Sequence, residues 1–226
     1  MFIAEAGNCV NDVAWAFGAA DAAKAAGFTH FKVQLYQAPT LVTPWAPTYG
    51  DEELNEPERQ WDNFADALPY ESWQGVKEHC DAIGITFFAS VFDVQAVDAL
   101  EAMGVELYKI ASADITHRPL IEAVRATGKP IILSTGAAKL HEIERAVGWL
   151  NGSDFTLLAC SLHYPSKLSE AHLARMTTLR QFTRKVGYSD HTRGADTVRA
   201  AFSAGAVAVE KHWTITPELG TGDHAF

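Results

Sequence analysis

The stretch Ile83-Gly-Ile-Thr-Phe-Phe-Ala-Ser-Val-Phe-Asp-Val-Gln-Ala-Val-Asp-Ala-Leu-Glu-Ala-Met-Gly104 holds one complete unit of a repeating architecture. Residues 86–91 form an apolar run that reads as a buried strand. Residues 94–103 place apolar side chains at the spacing of an amphipathic helix. Gly84 and Gly104 each follow a helical pattern, where a backbone turning left-handed favours glycine. From Gly84 the rhythm continues through Gly104, Gly128 and Gly152, in steps of 20, 24 and 24 residues. Each step has room for one strand, one helix and two short loops.

Extending the pattern outward gives eight strands, at 2–6, 30–36, 86–91, 107–111, 130–134, 155–160, 186–189 and 206–212. Helices are expected at 12–26, 70–83, 94–103, 120–127, 140–150, 169–182 and 195–204. Strands that alternate with helices make a parallel sheet. Eight of them favour a closed (β/α)8 TIM barrel, here a single domain over residues 1–226. The chain stops about one loop after the eighth strand, so the eighth helix is expected to be missing. Residues 37–69 interrupt the rhythm with a long Pro-, Glu- and Trp-bearing excursion. An excursion of this length is often a lid or a binding wall. No GxGxxG or P-loop pattern occurs, which removes the common open-sheet nucleotide readings.

Composition narrows the function. The 226 residues are 48% hydrophobic and 20% charged, with a net charge of −10. That balance suits a globular enzyme and argues against nucleic acid or an anionic membrane as partner. A few local lysines can still hold an anionic substrate. The three cysteines, Cys9, Cys80 and Cys160, are widely spaced and odd in number. They fit a reducing, cytoplasmic setting better than a disulfide framework. The N-terminus lacks the basic segment of a signal peptide, and no apolar run reaches membrane-spanning length.

In such a barrel the chemistry gathers at the C-terminal ends of the strands. Polar residues collect there on every strand. Glu5 ends the first, and Lys32 and Gln34 share one face of the second. Ser90 ends the third. Lys109 leads into Ser112 and Asp114, and Ser134 ends the fifth. Ser161, His163 and Tyr164 follow the sixth. Ser189, Asp190 and His191 end the seventh, and Glu210 and His212 share a face of the eighth. Lys211 has the opposite parity and falls outside the site. Any one such residue is more often a satisfied core group than a functional one. The joint pattern differs, because strands buried on both faces should be almost wholly apolar, and buried charges cost desolvation unless paired or used. Lysines with hydroxyls suit a phosphate or carboxylate. Two imidazoles suit a Lewis-acidic metal, and the carboxylates can orient hydroxyls or move protons.

These residues stand in motifs that resemble the N-acetylneuraminate (sialic acid) synthase family. The motifs are Phe2-Ile-Ala-Glu-Ala-Gly7, Phe31-Lys-Val-Gln34, Phe88-Ala-Ser-Val-Phe-Asp93, Tyr108-Lys-Ile-Ala-Ser-Ala-Asp114, Gly128-Lys-Pro-Ile-Ile-Leu-Ser-Thr-Gly136, Tyr164-Pro165, Gly187-Tyr-Ser-Asp-His-Thr192, Glu210-Lys-His-Trp-Thr214 and Gly222-Asp-His-Ala-Phe226. The resemblance implies a metal-dependent condensation of phosphoenolpyruvate with an N-acylhexosamine aldehyde such as N-acetylmannosamine, with loss of phosphate. It implies His191 and His212 as ligands of Mn2+ or Mg2+. It implies Lys32, Ser90, Lys109, Ser112, Ser134 and Ser189 at the phosphoenolpyruvate. Glu5, Asp114, Tyr164, Glu210 and Asp223 match sugar-contacting or proton-handling positions, with Glu5, Asp114 and Glu210 the expected catalytic carboxylates and Gln34 beside the substrate. The resemblance also implies a homodimer. Three departures bear on the sugar. Asn8-Cys9-Val10-Asn11 replaces the usual Asn-His-Asn-Gly, Leu162-His163 replaces an asparagine-bearing segment, and Gly220-Thr-Gly-Asp223 replaces Pro-Gly-Pro-Asp. The family's antifreeze-like C-terminal domain does not occur in the 226 residues. Two other readings remain: a different phosphoenolpyruvate-dependent 2-keto-3-deoxy acid synthase, and a catalytically idle barrel that binds a phosphorylated ligand.

Overall fold

The computed structural model describes residues 1–7, 12–49, 58–217 and 224. In chain order the elements are β1 (Phe2–Glu5), α1 (Val13–Ala25), β2 (His30–Leu35), α2 (Ala38–Leu41), β3 (Thr48–Tyr49), β4 (Glu58–Arg59), α3 (Gln60–Ala65), α4 (Gln74–Ile83), β5 (Thr86–Val91), α5 (Val94–Met103), β6 (Tyr108–Ile110) and α6 (Arg118–Ala126). They continue with β7 (Ile131–Ser134), α7 (Leu140–Trp149), β8 (Phe155–Cys160), α8 (Arg175–Leu179), β9 (Val186–Asp190), α9 (Asp196–Ser203) and β10 (Val209–His212). Eight parallel strands close in the order β1-β10-β9-β8-β7-β6-β5-β2. The (β/α)8 barrel is therefore present, with every expected strand found and its bounds shifted by a few residues at most. After β10 no further α-helix occurs among the described residues. Instead Trp213 packs against the core, and its indole N–H donates to the Ala19 carbonyl of α1 (3.0 Å).

The glycine rhythm has the expected cause. Gly84 and Gly104 end α4 and α5 in the left-handed conformation, at φ 71° and 73°, which glycine adopts without steric cost. Gly187 serves a different end, a close approach of strands. A Cβ there would lie 2.2 Å from the Ala208 carbonyl oxygen and 2.7 Å from Leu158. The absence of a side chain lets β9 and β10 pack against the barrel interior.

One expectation needs correction. The helix expected at 169–182 is broken into a 3-10 turn (Leu168–Glu170) and the short α8. His172 lies between them at φ 46°, a left-handed conformation that stops a right-handed helix. The excursion at 37–69 has structure of its own: α2, an antiparallel β3–β4 pair and α3. It is tied to the barrel through Asp93. One Asp93 carboxylate oxygen caps α5 by accepting from Ala96 N–H (2.7 Å). The other accepts from the Tyr70 hydroxyl (2.5 Å) and from Thr40.

The strand period of two decides where the site lies. Six buried apolar residues, Ile3, Phe88, Leu107, Ile132, Leu158 and Ala208, form a cluster apart from the main core. The larger cluster packs helices on the barrel exterior. Two residues further along the same six strands stand Glu5, Ser90, Lys109, Ser134, Cys160 and Glu210, all buried. An apolar plug therefore fills the barrel, and the next layer toward the C-terminal mouth is polar. Among the described residues no helix is long and apolar enough to cross a membrane.

Candidate active site

A continuous polar network crosses that layer. The Gln34 amide donates to Glu5 Oε1 (3.0 Å), and the other Glu5 oxygen is ion-paired with Lys32. Gly7 makes room for this arrangement, because a Cβ there would fall 2.4 Å from Gln34 Nε2 and 2.6 Å from Glu5 Oε1. Lys32 Nζ also donates to Ser90 Oγ (2.9 Å). Glu210 Oε2 lies 3.8 Å from Lys32 Nζ and 4.0 Å from Lys109 Nζ. Its Oε1 accepts from Ser189 Oγ at 3.0 Å.

Burial opposes charge on Glu210. The fields of Lys109 and Lys32, with the Ser189 hydrogen bond, outweigh it and hold the carboxyl below the usual glutamate range. The Lys109 pKa is also lowered, for a different reason: burial lowers it more than Glu210 raises it. Among the described residues its ammonium makes one hydrogen bond, to the Ile110 carbonyl (3.3 Å). A lysine ammonium has three donors, so this one retains capacity to donate to an anion. Ser134 Oγ is buried without a hydrogen-bond partner among the described residues.

The imidazoles adjoin this network. The parallel register places Ser189 opposite Glu210 and Asp190 opposite Lys211, so His191 and His212 follow at neighbouring strand tips. Their ring centroids are 5.3 Å apart. His191 Nδ1 donates to the Ser161 carbonyl (2.6 Å), and Nε2 lies 3.4 Å from Ser189 Oγ. The half-exposed Tyr164 ring stacks on His191 at 3.9 Å and meets His212 edge-on at 5.7 Å. The Tyr164–Pro165 peptide bond is cis.

The remaining expected residues are placed as follows. Ser112 and Asp114 lie on a 3-10 turn after β6. Asp114 does not join the carboxylate–lysine network. Its Oδ1 is 3.8 Å from His117 Nδ1, and its Oδ2 is buried without a hydrogen-bond partner among the described residues. Burial raises its pKa from 3.8 to about 6, with His117 and Lys109 pulling weakly the other way. Asp223 lies outside the described residues. Cys160 was not singled out by sequence, although its parity with Leu158 would have shown it. It faces the same layer, and its Sγ lies 2.5 Å from a Cβ built on Gly136. Burial raises its thiol pKa.

The Asp114 shift gives a signed prediction. Between the ordinary value of 3.8 and about 6 the folded state holds more protons than the unfolded one, so stability falls as pH rises through that window. At about 1.4 kcal/mol per pH unit, the ionised carboxylate costs the fold roughly 2 to 3 kcal/mol at neutral pH. Asp114→Asn should therefore unfold at higher urea than wild type at pH 7.5 and at nearly the same urea at pH 4. Equal midpoints at pH 7.5 would contradict the assignment.

Residues 19–226 match the NeuB family. The chain belongs to that family. It is 40% identical over 152 residues to the N,N'-diacetyllegionaminic acid synthase of Campylobacter jejuni, covering 65% of this chain and 46% of that protein. It is 34% identical over 236 residues to the Legionella pneumophila protein of the same name, covering 99% of this chain and 66% of that one. The crystal structure of an N-acetylneuraminic acid (sialic acid) synthetase from Leptospira borgpetersenii in complex with citrate superposes with a TM-score of 0.86 at 33% identity, covering 99% of this chain and 76% of that chain. This NeuB-family chain spans about half the length of the Campylobacter protein.

Proposed function

We propose that this NeuB-family barrel condenses phosphoenolpyruvate with an N-acylhexosamine-type aldehyde, such as N-acetylmannosamine, to a nonulosonic acid with release of inorganic phosphate. The observation that carries the reading is a set of buried donors with capacity to spare among the described residues, the Lys109 ammonium with one hydrogen bond and the Ser134 hydroxyl with none, beside the Lys32–Ser90 pair and the two imidazoles. Buried donors without acceptors cost free energy, and an arriving phosphate or carboxylate removes that cost. The anion also favours the charged form of Lys109, which burial works against.

In the overall reaction, carbon 3 of phosphoenolpyruvate bonds to the aldehyde carbon, the aldehyde oxygen takes up a proton, and water enters at carbon 2 as phosphate leaves. Lys32, Lys109, Ser90, Ser112, Ser134 and Ser189 would hold the phosphorylated substrate. Glu5, Gln34 and Tyr164 stand where they can face the sugar, and Asp223 belongs with them in this reading. Asp114, with a pKa near 6 and an oxygen without a partner, suits proton transfer near neutral pH. Glu210 holds both lysines in place and can orient the water.

The imidazole pair fits a divalent ion as a partial donor set. The Ser161 carbonyl takes the Nδ1 proton of His191 and leaves Nε2 as the donor nitrogen. Among the described residues no cluster of three or more His, Cys, Asp or Glu side chains is placed to hold a metal. Oxygens of substrate or water would complete the shell. When bound, Mn2+ or Mg2+ supplies a Lewis acid for the carbonyl oxygen. The test incubates the purified chain with phosphoenolpyruvate, Mn2+ and a panel of aldoses including N-acetylmannosamine, and follows phosphate release and product mass. Aldose-dependent release with a nonulosonic acid product is the expected result. Release with none of the sugars would sink the proposal.

A further inference from the structure

We infer that Asp190 and Lys211 are a positioning pair, on the outward side of the barrel wall, that sets the spacing of the His191 and His212 imidazoles. The inference rests on the proposed reading of those imidazoles as metal ligands. Lys211 has the parity that keeps it out of the pocket, and the register sets it directly opposite Asp190. Asp190 is completely buried, and its Oδ2 lies 3.1 Å from Lys211 Nζ. Each member of the pair immediately precedes one of the histidines.

The contacts bracket His191 on both sides. Asp190 Oδ1 accepts from the Thr192 backbone N–H (3.0 Å) and the Thr192 hydroxyl (2.8 Å). The Lys211 ammonium also donates to the Thr192 carbonyl. The Thr192 hydroxyl oxygen in turn accepts from the Thr197 hydroxyl of α9 (3.0 Å). The turn that carries His191 is thus fastened at the residues before and after it to the lysine that precedes His212. On the inward side the same register gives the Ser189–Glu210 hydrogen bond. The two histidine-bearing strand ends are stitched once on each face.

A buried ion pair is a weak source of stability, because desolvation offsets most of the attraction. Its best-attested use is to fix register, and register is what two ligands on adjacent strands need. A site must be held within about 0.5 Å to work well, and loss of a supporting partner outside a metal's own ligands typically weakens metal binding about 10- to 100-fold.

The test compares wild type, Lys211→Met, Lys211→Arg, the double variant Asp190→Asn/Lys211→Met and His191→Ala. Mn2+ affinity is read from the free-ion EPR signal well below each protein's Tm, and Tm is measured separately on metal-free protein. Lys211→Met and the double variant should bind Mn2+ about 10- to 100-fold more weakly than wild type, and Lys211→Arg should recover most of the loss. The double variant leaves no buried charge unpaired, so it keeps the test valid if Lys211→Met does not fold. Wild-type Mn2+ affinity in the double variant, whatever its Tm, would overturn the positioning role and leave the metal reading standing. A wild-type protein that binds no Mn2+, or a His191→Ala protein that binds it as tightly as wild type, would overturn the metal reading and this role with it.

Discussion

His191→Ala and His212→Ala are each expected to abolish stoichiometric Mn2+ uptake and to lower kcat of the proposed condensation by roughly a thousandfold or more. The expectation comes from geometry. The rings stand at adjacent strand tips with centroids 5.3 Å apart, so one ion can reach both, and two protein nitrogens leave no redundancy. The Ser161 carbonyl fixes the tautomer of His191, so an alanine there removes an oriented donor and leaves that carbonyl without its partner. Both rings are buried in the polar layer and not in the apolar plug, so their removal leaves the plug's packing intact and the variants should fold. Equilibrium dialysis against Mn2+ and circular dichroism measure the two points separately. A folded His212→Ala protein that still takes up one Mn2+ per chain would refute the assignment.

Glu210→Gln is expected to be the most destabilising single change in the pocket. Its carboxylate stands between two buried lysines at 3.8 Å and 4.0 Å. Removing one partner of a buried charge group costs about 3 to 5 kcal/mol, because the remaining charges stay desolvated without compensation. For a chain of this length that corresponds to a fall in Tm of roughly 10 °C. The sign with pH follows from the depressed carboxyl. Burial alone would raise its pKa, but Lys109 and Lys32 outweigh burial. Glu210 therefore contributes stability that is present above its ordinary value of 4.5 and is lost as pH falls through its lower folded value. Wild type should lose stability as pH drops below about 4.5, while Glu210→Gln should lose less over the same range. Urea unfolding from pH 7 to pH 3 measures both. Curves that stay parallel would show that Glu210 does not hold the lysines in the way described.

Much of the site follows from parity alone. Lys32, Ser90, Lys109, Ser134, Ser189 and Glu210 were readable because a strand alternates faces with a period of two, and polar residues on the inward face of a buried sheet are costly enough to be conspicuous. The same alternation placed Lys211 outside the pocket, and the structure agrees. It could also have shown Cys160, which shares the inward face with Leu158, but a small sulfur side chain in an apolar run carries no such cost. Asp114 lies after its strand, where alternation no longer applies, and no local pattern marks it as standing apart from the other carboxylates with a raised pKa.

Helices were less secure where their limits depend on a single backbone conformation. The break at His172 has no glycine or proline to mark it. The short elements of residues 37–69 hold their place through tertiary contacts such as Thr40 and Tyr70 on Asp93. By itself the sequence determined the eight strands, the helices between them and the inward faces, because these are local periodicities repeated along the chain, and the strand count favoured a closed barrel. Only the tertiary structure decided which inward residues touch. The stagger between neighbouring strands sets Ser189 opposite Glu210 and Asp190 opposite Lys211, and that stagger arises from closing the whole sheet, not from any one strand.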